Sequence, residues 1–223
     1  MSHDNTFFRY PRIAHIAGSK HTSDDIILGD IPKGTFIVFE KTDGANTGVG
    51  QMQPFQYTFQ NRGEYIQNKR KHEQWDALFN YVNHKCLEFN KTFENVEQGS
   101  ILFGEWLYAV HSVVYDNLPD HFIIFDIWQP STGLMNSYHD IWNAIHNTGL
   151  TVVKEIAVTS SIEKFLKTRK ERPKSQFGND KMEGYIFRNV DNYNEVYKYV
   201  YPEFTNGITS HWFNTELRRN KVK

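Results

Sequence analysis

The sequence holds one cysteine, Cys86, in 223 residues. A disulfide framework inside the chain is therefore excluded, and the composition suits a reducing, cytoplasmic compartment. No stretch approaches the roughly 18–20 consecutive apolar residues that span a bilayer, so no membrane segment is expected. The opening residues, MSHDNTFFRYPR, lack the charged-then-apolar order of a secretory signal. Excess charge is also missing: 25 Lys and Arg against 26 Asp and Glu leave a formal charge of −1. That balance excludes a protein that coats nucleic acid through bulk electrostatics, so a nucleic-acid substrate has to be gripped locally. The ten histidines are scattered, and none has the spacing of a zinc site. No repeat, low-complexity tract or Pro/Gly/Ser-rich linker divides the chain. One domain over residues 1–223 is expected.

What is present is ample apolar and aromatic material, 39% and 15% of residues, enough to bury a core. Residues 34–40 and 46–51 have strand composition. The TDGA between them carries Asp-Gly turn chemistry, so the two segments are expected to pair as a hairpin. Further strands are expected at 56–62, 100–108, 121–128, 151–158, 183–189 and 195–200. Trp75, Leu78, Phe79, Val82, Cys86, Phe89 and Phe93 recur at three- and four-residue spacing. That stripe predicts an amphipathic helix, with Cys86 a packed thiol rather than a nucleophile. A second helix is expected from near Ser137 to a stop at Gly149, and a short third one behind a capping box of Ser160 and Glu163. The fold class is α+β, mainly antiparallel sheet with flanking helices. Three basic clusters (Lys69, Arg70, Lys71; Arg169, Lys170, Arg172, Lys174; Arg218, Arg219, Lys221, Lys223) read as solvated faces or phosphate contacts.

The chemistry concentrates in Glu40-Lys41-Thr42-Asp43-Gly44-Ala45-Asn46. A lysine is a nucleophile only when its amine is neutral, and burial or nearby cations lower its pKa toward that state. A neighbouring glycine lets a phosphate approach the backbone with no Cβ in the way. K-x-D-G alone fits an ordinary exposed lysine beside a β-turn better than a nucleophile. Five further elements follow in order: Asn61-Arg62-Gly63, Phe103-Gly104-Glu105-Trp106-Leu107, Phe122-Ile123-Ile124-Phe125-Asp126-Ile127, Glu183-Gly184-Tyr185-Ile186 and Val196-Tyr197-Lys198-Tyr199. Together the six resemble the ordered motifs of the covalent nucleotidyltransferases, the superfamily of ATP-dependent DNA ligases, RNA ligases and messenger RNA capping enzymes. Glu40 before the lysine and Asn46 closing K-x-D-G-x-N are similar to nick-sealing RNA ligases. Tyr10-Pro11-Arg12-Ile13 leading to His15, Ser23-Asp24-Asp25, residues 104–119 and His211-Trp212 resemble a compact bacterial and phage group of those enzymes.

The resemblance implies an ATP-grasp-like ligase adenylation domain, a nucleotidyltransferase that forms lysyl-AMP on Lys41, passes AMP to an RNA 5′-phosphate and seals it to a 3′-hydroxyl. It implies that Asp43 and Asn46 position the lysine and the end being joined, and that Lys198 neutralises the α-phosphate. Glu40 and Gly44 would flank the nucleotide, Glu105 would hold the ribose hydroxyls, and Phe125 would stack on adenine. Arg62 would contact the ribose or a phosphate, and Glu183 would sit beside the divalent metal. The implied cofactors are ATP as AMP donor and Mg2+, with Mn2+ as the alternative ion. The implied partners are RNA ends or a nicked duplex, RNA or an RNA/DNA hybrid, with an end-healing repair enzyme alongside. One departure stands out. The family's fifth motif carries two lysines one residue apart, whereas this chain has Lys198-Tyr199-Val200, which leaves Arg188, Lys181 or Arg172 as substitutes for the second cation. About twenty-five residues follow Lys198, too few for an oligonucleotide-binding barrel or a helical appendage. The alternative readings are a minimal DNA ligase, a capping guanylyltransferase, or a relative that binds nucleotide or RNA without sealing.

Overall fold

A computed structural model of the chain describes residues 7–67, 73–204 and 217–223. The Lys69-Arg70-Lys71 cluster and His211-Trp212 lie outside the described residues. The elements in chain order are β1 (Ala14–His15), β2 (Lys33–Lys41), β3 (Ala45–Gln53), β4 (Gln56–Asn61), α1 (Glu73–His84), α2 (Cys86–Glu94), β5 (Ile101–Trp106), β6 (Phe122–Trp128), α3 (Tyr138–Ile145), β7 (Thr151–Val152), β8 (Glu155–Ser161), α4 (Ile162–Lys167), β9 (Gly184–Asn189) and β10 (Val196–Val200). They form two five-stranded sheets, ordered β1-β10-β9-β2-β8 and β4-β3-β5-β6-β7. Among the strand pairs of the described residues, β1–β10 and β6–β7 are parallel and the others antiparallel. This is the expected α+β class.

The expected hairpin is absent. β2 pairs with β8 and β9 in the first sheet, while β3 pairs with β4 and β5 in the second. A two-residue hairpin of the Asp-Gly type needs left-handed backbone at its centre, and neither Asp43 nor Gly44 has positive φ. Gly44 is small for another reason. A Cβ there would lie 2.7 Å from the Trp106 carbonyl and from Leu107, so the glycine lets the chain pass close to β5 as it crosses between sheets. Residues 151–158 divide in the same way. Thr151 and Val152 complete the second sheet, and β8 begins at Glu155 in the first.

The helical stripe is also split. It breaks at Lys85 (φ −100°, ψ 25°) into α1 and α2, with Cys86 half-buried at the start of the second helix. Ser161, not Ser160, caps α4 by accepting the Lys164 N–H; it is the last residue of β8, and the helix starts directly after it at Ile162. Ser137 caps α3 as expected, but the helix ends at Ile145 with His146 as its C-cap, short of the expected stop at Gly149, which has φ +94°. The helices α1, α2 and α3 cover the second sheet, with Trp75, Leu78, Val82, Phe89 and Ile141 packed against Leu102, Trp106, Phe122 and Ile124. Each such side chain contributes about 1.5–3 kcal/mol when fully buried. On the first sheet, Phe36, Val38, Tyr185 and Phe187 pack with Phe165 of α4 and with Val113, Tyr115 and Leu118. Among the described residues no helix is long and apolar enough to cross a membrane.

Candidate active site

The crossing at residues 42–44 leaves an opening between the two sheets, and a cavity of about 600 Å³ occupies it. The first sheet supplies Phe39, Lys41, Ile186 and Lys198 to its wall, and the second supplies Ala45, Asn46, Glu105, Ile123 and Phe125. Lys41 is the last residue of β2 and lies opposite Gly184 of β9. That register places the Lys41 Nζ 2.6 Å from Glu183 Oε2. Gly184 cannot be replaced without shifting the sheet, since a Cβ there would fall 1.9 Å from the Tyr199 carbonyl oxygen. The Glu-Gly pair thus combines a charged partner for Lys41 with a backbone approach that only glycine permits.

Glu105 sits across the cavity, opposite Asn46 in the β3–β5 register, and accepts the Gly44 N–H at 3.0 Å. Burial pushes its carboxyl up to about 7. Burial likewise raises the Glu183 carboxyl. Asn46 lines the cavity, and its side-chain oxygen is buried with no hydrogen-bond partner. Phe125 is half-buried and meets Tyr10 edge-on at 5.5 Å. Arg62 is exposed at the rim, close enough to Lys198 for like charges to interact.

The two acids flanking the lysine differ from the rest. Asp43 is absent from the cavity wall. Its carboxylate accepts the Ser112 and Val113 N–H groups at 2.6 and 3.2 Å, and its own N–H donates to the Tyr115 hydroxyl at 2.8 Å. Glu40 borders the cavity, but its carboxylate accepts the Gln176 N–H at 2.9 Å. These two acids pin the lysine-bearing segment to two loops behind it.

The amine itself differs from the sequence expectation. Burial works to lower the Lys41 pKa, but the carboxylates of Glu183, Glu105 and Asp43 outweigh it and raise the pKa. The free protein therefore holds Lys41 as an ammonium. A buried cation beside carboxylates keeps its proton.

The substitutes for a second fifth-motif lysine also sort themselves by geometry. Arg188 lines the cavity, yet its guanidinium is neutralised by Asp126 at 2.5 Å and lies 4.4 Å from the Tyr193 ring. Tyr10 donates to the same Asp126 oxygen at 2.5 Å. Arg172 donates to the carbonyls of Met182 and Lys181, and Lys181 is exposed and not part of the wall. None of the three faces the cavity as an uncompensated charge. The Tyr10–Asp126–Arg188 trio had a sequence signal: an aspartate inside a strand as apolar as residues 122–128 has to be paired when buried.

The paired sheets, the crossing and the lysine-lined cleft define a nucleotidyltransferase fold of the ligase type. A family model described as RNA ligase matches residues 34–200, and the chain belongs to the RNA ligase family. No curated protein matches it. Among solved structures, the chain is similar to Naegleria gruberi RNA ligase with PPi, at 18% identity and a TM-score of 0.57, covering 84% of this chain and 58% of that one. A variant of the same ligase with ATP and Mn gives 17% identity, a TM-score of 0.56 and coverages of 75% and 50%. Another, with AMP and Mn, gives 16%, 0.55, 84% and 59%. The chain thus spans between half and three-fifths of those structures' length.

Proposed function

We propose that the chain, taken as one adenylation domain over residues 1–223, is an ATP-dependent RNA ligase that works through a lysyl-AMP intermediate on Lys41. The observation that carries this reading is Lys41 on the cavity wall, paired with Glu183 at 2.6 Å, with Glu105 and Phe125 lining the same cavity from the other sheet. A cavity of about 600 Å³ is within the size range of small-molecule sites.

On this reading adenine stacks on Phe125, the ribose hydroxyls bond to the Glu105 carboxyl, and the α-phosphate lies between Lys41 and Lys198. Arg62 reaches the ribose or phosphates from the rim, and Asn46 offers its unpaired side-chain oxygen to the end being joined. The Lys41 ammonium first gives up a proton, and Glu183, in contact and raised by burial, is placed to take it. The amine attacks the α-phosphorus, pyrophosphate leaves, and AMP stays on Lys41 as a phosphoramidate. The 5′-phosphate of an RNA end then displaces Lys41 to give an AMP-capped end. The neighbouring 3′-hydroxyl attacks that phosphate, a phosphodiester forms and AMP departs.

In-line displacement at phosphorus needs charge neutralisation and alignment more than covalent help. Among the described residues no group of three or more His, Cys, Asp or Glu side chains could cage a metal ion. Glu183, in contact with Lys41 but not itself on the cavity wall, would be the foremost carboxylate for a magnesium or manganese ion that takes most of its ligands from water and phosphate oxygens. Such an ion would neutralise developing charge on the phosphates. The substrates this predicts are RNA ends or a nicked duplex, RNA or an RNA/DNA hybrid, supplied by an end-healing enzyme.

A mass spectrum of the protein after incubation with ATP and magnesium tests the reading. One added AMP mapped to Lys41 is expected, followed by AMP transfer to nicked RNA duplexes. Transfer to DNA nicks alone would favour a minimal DNA ligase. No added AMP would favour a nucleotide- or RNA-binding relative.

A further inference from the structure

Lys198 faces the cavity with two like charges near it, Lys41 and Arg62, and with burial lowering its pKa. What keeps its ammonium in place comes from the segment before β2. There β1 runs parallel to β10 with His15 opposite Lys198, and the following turn brings Asp25 to the lysine. One Asp25 oxygen lies 3.2 Å from Lys198 Nζ and 3.3 Å from His15 Nε2. The other accepts both the N–H and the hydroxyl of Thr22, each at 2.9 Å. His15 is itself buried, with Nδ1 2.7 Å from the Ser19 Oγ. Ser19 in turn accepts the Val200 N–H at 2.9 Å.

Ser19, His15 and Asp25 have the order of a hydrolytic triad, but none of them lines the cavity. Ser19 is buried, with its oxygen engaged by the backbone of β10. The arrangement ends instead on Lys198, which does line the cavity. We propose that Asp25, fixed by Thr22, is a positioning residue that holds the Lys198 ammonium aimed into the cleft for a nucleotide phosphate.

The physical need is specific to this chain. A flexible lysine loses side-chain entropy whenever it is fixed on a ligand, and two lysines on one strand face would share the task. With Val196 and Val200 flanking Lys198 at alternate positions, one lysine does the work of two, so holding it in advance counts for more. A carboxylate with both oxygens bonded provides a fixed anchor, and the two remaining ammonium protons are free to reach phosphate oxygens.

The inference rests on the ligase reading, and a single-turnover experiment separates the two. The full chain is mixed with ATP and magnesium, and both the rate constant and the final AMP content are read by mass spectrometry. If wild-type protein takes up no AMP, the ligase reading fails, and the inference with it. Given wild-type uptake, Asp25→Asn is expected to slow the rate constant roughly ten- to a hundredfold, the range for one charge-assisted hydrogen bond, and to reach the same end-point. Asp25→Glu should recover most of the rate. In a Lys198→Ala background the added Asp25→Asn change should alter the rate by less than about twofold, because the two residues act as a unit. A normal rate constant in Asp25→Asn, a loss confined to the end-point, or equal slowing in both backgrounds would each overturn the assignment.

Discussion

The first sheet brings charge to the cleft: Lys41 arrives with Glu183, and Lys198 with Asp25. The second sheet brings an amide, a ring and a carboxyl: Asn46, Phe125 and Glu105. On the first wall each of these cations has its own carboxylate. On the second wall Glu105 is bonded by the Gly44 N–H, and burial moves its carboxyl up to about 7. The proposed division is that one wall handles the phosphorus and the other recognises the nucleoside. If so, changes on the first wall should cost turnover, and changes on the second should cost nucleotide affinity. The steepest test of that contrast is Lys41→Ala. It should lose AMP uptake entirely, because no other side chain at that position forms the phosphoramidate. Covalent AMP retained by this variant would move the nucleophile elsewhere.

The next largest effect concerns what joins the walls. Asp126 of β6 and Arg188 of β9 form a buried pair between the sheets, closed by Tyr10. Removing one partner of a buried pair leaves the other charge uncompensated, at a cost of about 3–5 kcal/mol. Asp126→Asn should therefore lower unfolding free energy by that order in urea titrations. A combined Asp126→Leu and Arg188→Met change should recover much of it, since hydrophobic replacements of buried pairs are often near neutral. A loss below about 1 kcal/mol, the scale of exposed pairs, would mean the sheets are coupled elsewhere.

Glu105 gives the contrast a pH dependence. Its carboxyl is raised from the ordinary glutamate value to about 7 in the folded protein. Between pH 4.5 and 7 the folded state holds a proton that the unfolded chain has released. Its contribution to stability is thus full at the acid end of that window and lost as pH rises through 7. Glu40, Glu183 and Asp126 are also raised by burial, so they act in the same direction. Burial lowers His15 and His121, which acts in the opposite direction, so the test is a difference: relative to wild type, the melting temperature of nucleotide-free Glu105→Gln protein should fall less, or rise more, across this window. The same variant should weaken ATP binding by about 1–3 kcal/mol, the scale of charged hydrogen bonds. An unchanged slope together with unchanged ATP affinity would remove Glu105 from both roles.

Much of this arrangement was legible as chemistry before it was legible as structure. Lys41, Asn46, Glu105, Phe125 and Lys198 were picked out by motif order, and all five line one cavity. Strand partners were not readable. The composition of residues 34–40 and 46–51 marks strands but carries no information on which sheet each joins. The Asp-Gly pair suggested a hairpin where the glycine instead permits a close crossing. The directions of Glu40 and Asp43 were hidden for a similar reason, since their partners, Gln176, Ser112 and Val113, lie far off in sequence. The charge on Lys41 was misread because the carboxylates that set it come from β5 and the approach to β9. Ser23-Asp24-Asp25 was visible as a pattern, but only the fold joins Asp25 to Lys198.

The smallest expected effect belongs to Phe125. Its ring is half-buried against Tyr10, so truncation removes little of the core and acts mainly on the ligand side. Stacking on an aromatic face contributes about 0.5–1.5 kcal/mol beyond area, a factor of roughly two to ten in affinity. Phe125→Ala should therefore raise the KM for ATP by that factor. The adenylylation rate at saturating ATP should stay near wild type, because the ring touches neither the amine nor the phosphate. Stopped-time mass measurements over a range of ATP concentrations separate the two quantities. A fall in the saturated rate with an unchanged KM would place Phe125 with the phosphate-handling wall, and the division between the sheets would fail at this residue.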